Sequence, residues 1–137
     1  MQFKVPQSNI SFEIADEWCV AGDLFRCELD SAHYRCATAG SQFVAITDIE
    51  PPLRDGNLVW FRDRESVVQL LKAMHGRQEL PPIEIWSKLK KQSSRYIVRD
   101  GLHRFYLSIA FGYTKIPVIF NDWNMEEFLI NEARKPQ

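Results

Sequence analysis

Tyr96-Ile97-Val98-Arg99-Asp100-Gly101-Leu102-His103-Arg104-Phe105-Tyr106 joins two periodicities at a single break. An apolar strand-like run stops at Asp-Gly and a helical pattern starts at once. Leu102, Phe105, Tyr106, Ile109 and Ala110 form its inward face, and Gly112 stops it. Asp100 can accept hydrogen bonds from the first free amides of the helix, and Gly101 lets the backbone turn. The unpaired N–H groups beyond it point toward any bound anion. His103 and Arg104 add a tunable proton donor and a permanent, bidentate cation in the first turn, where the helix dipole already favours negative charge. The same residues also suit a plain capped helix with surface His and Arg, and the local physics leaves both readings open.

Upstream of this break, Leu80-Pro81-Pro82 restricts the chain to an extended path into a strand, Ile83-Glu84-Ile85-Trp86, with Glu84 opposite Ile83 and Ile85. Lys88 to Ser94 is polar and basic, the loop of a hairpin that returns through Tyr96-Ile97-Val98. After the helix, Ile116-Pro117-Val118-Ile119-Phe120 reads as the next strand. A terminal helix from Met125 to Arg134, with Asn124 as its cap, ends the chain. Upstream, Asp63 caps a helix whose Val67, Val68, Leu70, Leu71 and Met74 share one broad face, with His75-Gly76 as its stop. Arg62, Arg64 and Lys72 on this helix read as a solvated face. Trp60 and Phe61 suit core packing or stacking on a base.

Phe43-Val44-Ala45-Ile46 is a short strand ending at Asp48. Ile49-Glu50-Pro51-Pro52-Leu53-Arg54-Asp55-Gly56 then forms a loop, because two prolines stop a regular ladder. Ile10, Phe12 and Ile14 alternate with polar neighbours, as a half-buried strand does. Asp16-Glu17 and Gly22-Asp23 punctuate what reads as a β meander. Its further strands would be Leu24 to Leu29 and Tyr34 to Ala37, with Asp30-Ser31-Ala32-His33 as a turn and His33 solvated. The expected fold is α+β: one domain over residues 1–137, a small mixed sheet packed by helices, with residues 1–40 as an appended β layer.

The chain has 137 residues, 45% hydrophobic and 12% aromatic, enough for one domain with a core of its own. A net charge of −1 gives no global basic signature. DNA contact would therefore need a local patch such as Arg95, Arg99 and Arg104 with Lys88, Lys90 and Lys91. No run of about 18 apolar residues occurs, and Met1-Gln2-Phe3-Lys4-Val5-Pro6 lacks a signal-peptide core, so the expectation is a cytoplasmic protein away from membranes. Cys19, Cys27 and Cys36 show no metal-binding spacing and read as unpaired, structural thiols.

The segments Leu80-Pro81-Pro82-Ile83-Glu84-Ile85, Tyr96-Ile97-Val98, Asp100-Gly101-Leu102-His103-Arg104, Gly112 and Ile116-Pro117-Val118 together resemble the ParB/sulfiredoxin superfamily, over roughly Phe43 to Phe120. The resemblance implies that the Gly-x-x-Arg turn holds nucleotide phosphates through Asp100, Gly101, Leu102, His103 and Arg104. It further implies that Arg54, in the proline-containing loop, faces the nucleotide. Sulfiredoxins carry a cysteine nucleophile directly before this His-Arg pair; Leu102 stands there and cannot attack, which disfavours that activity. Chromosome-partitioning ParB clamps carry Gly-Glu-Arg-Arg and further domains that this chain lacks. The Asp-Gly-x-His-Arg form is closer to free-serine kinases and to small ParB-like proteins called nucleases, some of them plasmid-borne. No superfamily counterpart covers residues 1–40, which could instead contact a protein partner.

Two functions follow. An enzyme would hydrolyse or transfer phosphate from ATP or CTP, or cleave DNA. Arg104 would hold phosphate, His103 would move a proton, and Asp48, Glu50, Asp55 or Asp100 would act as base or hold Mg²⁺. Of these carboxylates, Glu50 and Asp55 are the catalytic candidates. A non-catalytic module would keep the turn as a nucleotide sensor or docking surface that regulates or inhibits a partner. Convergence of a carboxylate on Gly101 and Arg104 discriminates the two.

Overall fold

The computed structural model describes residues 1–24, 31–52, 61, 63–86 and 96–120. In chain order these contain β1 (Gln2–Lys4), β2 (Ser11–Glu13), α1 (Asp16–Ala21), β3 (Gln42–Ala45), a 3-10 turn (Ile46–Asp48) and β4 (Ile49–Glu50). Then come α2 (Arg64–His75), β5 (Ile83–Trp86), β6 (Tyr96–Asp100), α3 (Leu102–Phe111) and β7 (Lys115–Phe120). β1 and β2 pair antiparallel as a separate two-stranded layer. The other strands form one five-stranded mixed sheet in the order β3-β7-β5-β6-β4. β7 runs parallel to β5 and antiparallel to β3, while β6 runs antiparallel to β5 and parallel to β4. The chain is therefore α+β, as its pattern implies.

Period-2 alternation gives the sheet its inner face. Ile83 and Ile85 of β5 and Ile116 and Val118 of β7 are fully buried, whereas Glu84 and Trp86 are only half-buried on the opposite face. Against the inner face lie Val67, Leu71 and Met74 from α2, with Phe105, Tyr106 and Leu107 from α3, in one continuous core. Each such side chain contributes roughly 1.5–3 kcal/mol by leaving water. Pro117 is tolerated in the interior strand β7 because β5 pairs with β7 only from Val118 onward, leaving the stretch before it bonded on the β3 side alone.

The amino-terminal region departs from a β meander. The two-stranded layer forms, and Phe12 carries it onto α3, with its ring 5.1 Å from that of Tyr106. Asp16 and Glu17, read as punctuation, instead open α1, where acidic residues favour the first turn. Gly22 closes this helix, its N–H donating to the Trp18 carbonyl while Asp23 N–H donates to that of Val20. It also lies so close to Leu71 that a Cβ on Gly22 would collide with the Leu71 side chain, and this close approach seats α1 on α2. Six residues are too few to display a 3.6-residue period, which is why the helix is hidden in the sequence.

Tyr34 to Ala37 is an irregular strap, not a strand. Its backbone bonds go elsewhere: Leu80 N–H donates to the Arg35 carbonyl at 2.9 Å. Just ahead of it, the N–H groups of Thr114 and Lys115 both donate to the Ala32 carbonyl. His33, expected in solvent, is half-buried and stacks on Phe43 with ring centroids 4.0 Å apart. Cys19 is buried, Cys36 is half-buried, and neither forms a disulfide. Leu24 is a core residue. The rest of the expected Leu24–Leu29 strand, Cys27, Trp60, Arg62, the Lys88–Ser94 loop with Arg95, and the expected helix from Met125 lie outside the described residues.

α2 begins as its sequence implies. Glu65 N–H donates to Asp63 Oδ1 at 3.1 Å and the Ser66 hydroxyl donates to Oδ2 at 2.6 Å. The Ser66 hydroxyl is the main cause holding the Asp63 carboxyl below its ordinary value of 3.8, and the Glu65 and Ser66 amides add to it. A depressed folded-state pKa gives stability that is fully present above 3.8 and is lost as the pH falls through the lower folded value. Urea midpoints of the wild type and Asp63→Ala are therefore expected to differ near neutrality and to converge in acid below 3.8. A difference that is constant from pH 7 to the acid limit contradicts the capping account.

Candidate functional site

β6 delivers the chain to the sheet's end, where Asp100 is exposed and lies across from Glu84 beside a register shift between Glu84 and Ile85. Gly101 then takes φ 111° and ψ 30° and is itself the N-cap of α3, with no side chain capping the helix. The expected Asp100 cap is thus not formed, because Asp100 is still extended on the sheet and the reversal comes one residue later. Phe105 N–H reaches the Gly101 carbonyl at 2.9 Å. The amides of Leu102, His103 and Arg104 precede the first helical bond, and the N-cap residue Gly101 offers them no side-chain acceptor.

Gly101 is required twice over. Its φ lies where L side chains are strained, and a Cβ would stand 2.9 Å from Ile83 Cγ1 and 3.2 Å from Arg104 Nη2. The Arg104 side chain thus folds back over the glycine. Its Nη2 donates to the Pro82 carbonyl at 3.3 Å, while its Nε–H is buried with no partner among the described residues. Among the described residues no carboxylate lies within ion-pair distance of this guanidinium. By contrast Arg99, on β6, is paired with Glu84 at 2.7 Å. His103 is half-buried with its ring 5.6 Å from that of Phe61, on the side toward Asp63 at the start of α2.

A cleft of about 530 Å³ opens between α2 and the start of α3. Ser66, Gln69, Leu70 and Ala73 of α2 form one wall, Asp100 to Arg104 form the other, and Gln78 and Leu80 close one end. The volume suits a small organic ligand. Two neutral amides, a hydroxyl and an apolar strip thus face an anion-ready turn. The sequence carries a signal for this wall: residues 66, 69, 70 and 73 fall at i, i+3, i+4 and i+7, a single helix stripe. That stripe is easily missed when only the apolar face is read.

Of the residues expected at the site, Asp100, Gly101, Leu102, His103 and Arg104 all line this cleft. Glu50 does not. It is half-buried at the end of β4, in register with Ile97, three residues before Asp100 and hence about 10 Å back along β6. Asp48 is exposed in the 3-10 turn. Arg54 and Asp55 lie outside the described residues. Among the described residues no three His, Cys, Asp or Glu side chains form a group fit to hold a metal ion. No described helix is long and apolar enough to cross a membrane.

No family model matches this chain, and no curated protein matches it.

Replacing Gly101 by Ala should cost about 1–2 kcal/mol for the left-handed backbone, with the clash against Ile83 in addition. Urea unfolding measures this directly. A Gly101→Ala protein as stable as the wild type would show that the turn adopts another conformation.

Proposed function

We propose that the cleft binds the phosphate of a nucleotide and that the chain is a nucleotide-binding protein of ParB/sulfiredoxin type. One observation carries the reading: a half-buried arginine with no carboxylate partner among the described residues stands in the first turn of a helix whose N-cap, Gly101, offers no side-chain acceptor. Burying a guanidinium without a counter-charge is costly, and an anion at this turn would offset that cost while accepting hydrogen bonds from the amides. The Gly-x-x-Arg spacing of Gly101 and Arg104 supports the same assignment through resemblance. The rest of the ligand would run along α2, where Ser66 and Gln69 offer donors and acceptors and Leu70 and Ala73 offer apolar contact.

Binding is the primary reading: Glu50, one of the two carboxylates expected to act there, does not line the cleft, and the other, Asp55, lies outside the described residues. A phosphate-ester reaction, either nucleotide hydrolysis or transfer or cleavage of DNA, is the second reading. It is favoured by one feature: Asp100 and His103 line the same cleft as Arg104, so a carboxylate and an imidazole would both face a phosphate held there.

A thermal-shift series with ATP, CTP, GTP and AMP, with and without Mg²⁺, tests binding first. A ligand at a hundred times its dissociation constant should stabilise the fold by about 2.7 kcal/mol. Calorimetry then tests the arginine. Arg104→Ala should weaken the best ligand roughly tenfold to a hundredfold, the worth of a charge-assisted bond of about 1.5–3 kcal/mol. Arg104→Lys should recover only part, because an ammonium lacks the planar fork. Equal affinity in wild type and a folded Arg104→Ala protein would reduce the turn to a plain helix start.

A further inference from the structure

Tyr34 belongs to the amino-terminal strap, outside the stretch that resembles a known superfamily, yet it reaches the candidate site. Its side chain is 1% exposed, and its hydroxyl donates to the Pro81 carbonyl at 2.7 Å. The next carbonyl in the chain, that of Pro82, accepts from Arg104 Nη2. The guanidinium also lies close enough to the Tyr34 hydroxyl for its charge to be felt there. Burial pushes the Tyr34 pKa upward and Arg104 opposes it, so the hydroxyl keeps its proton and serves as a donor across the physiological range.

We propose that Tyr34 is the positioning residue of the phosphate site, fixing the Pro81-Pro82 segment whose carbonyl holds Arg104 over Gly101. The inference rests on the phosphate reading of Arg104 and adds that residues 31–37 are a working part of that site. Several contacts make the strap rigid enough for the task. Ala32 is bonded to the start of β7, His33 stacks on Phe43, and Arg35 is bonded to Leu80. Two prolines in succession narrow the freedom of the segment that Tyr34 holds. A hydroxyl bond at one carbonyl therefore sets the position of the next. An arginine placed in advance loses less side-chain freedom when a ligand arrives, so removing the brace should appear as weaker binding.

The test reads Arg104 itself. In ¹⁵N NMR of the whole protein, the Arg104 Nε–H is expected as a slowly exchanging signal with nuclear Overhauser contacts to the Tyr34 ring. Tyr34→Phe, which keeps the ring and the packing, should accelerate that exchange while the backbone spectrum away from Pro81–Ile83 and Gly101–Arg104 is preserved. With AMP as probe, Tyr34→Phe should weaken binding about threefold to tenfold, the effect of one hydrogen bond. In an Arg104→Ala background it should have no further effect. A purely structural role predicts equal losses in both backgrounds, and that additive result overturns the proposal. So does an Arg104 Nε–H signal unchanged by Tyr34→Phe, or the lack of a contact to the Tyr34 ring in the wild type. Equal AMP affinity in wild type and Arg104→Ala, with Arg104 nonetheless loosened by Tyr34→Phe, overturns the phosphate reading separately.

Discussion

The contact of Gly101 with Ile83 governs the geometry of this end of the molecule. It brings the backbone of the strand-to-helix turn against the first residue of β5, at a distance that leaves no room for a Cβ. Because Ile83 is fully buried in the sheet's inner face, the turn is referenced to the core. α3 leaves from that fixed point, and its first-turn amides and Arg104 inherit the position. The cleft is the space left between this helix start and α2.

Among the described residues, the arginines near the sheet differ in their partners. Arg99 and Arg35 each have an acidic partner, as surface cations commonly do, and such pairs contribute little to stability. Arg104 differs by being half-buried, tied to a backbone carbonyl and adjacent to the positive end of a helix dipole. Tyr34 and Tyr106 show how the surrounding core handles its other polar groups. Each buried hydroxyl donates to a proline carbonyl, Pro81 for Tyr34 and Pro52 for Tyr106, where the prolines themselves offer no competing donor. Burial raises the pKa of both phenols, so neither supplies Arg104 with a negative charge.

Much of this was legible in the residues because local rules and tertiary packing agree there. The Asp63 cap, the apolar face through Met74, the stop at Gly76, the antiparallel β5–β6 pair and the helix from Leu102 to Phe111 all follow from short-range chemistry. Misreadings occur where a feature is too short or depends on distant partners. α1 is shorter than two helical turns, and its seat on Leu71 is a long-range contact that no period announces. Tyr34 looks like a strand residue, since nothing local tells that its neighbours bond to Leu80 and to the start of β7. Asp100 resembles a cap because Asp before a helix usually is one; only the positive φ of Gly101 moves the cap by one residue. The turn of the candidate site was thus readable, whereas its α2 wall and its brace were not.

On the phosphate reading, the anion sits on the amides at the start of α3. Backbone ¹⁵N–¹H spectra during titration with AMP measure those amides one by one. The account predicts saturable shifts that are largest at Leu102, His103 and Arg104, with smaller ones at Ser66 and Gln69 across the cleft. Saturable shifts centred on other residues, with these amides unmoved, would contradict it.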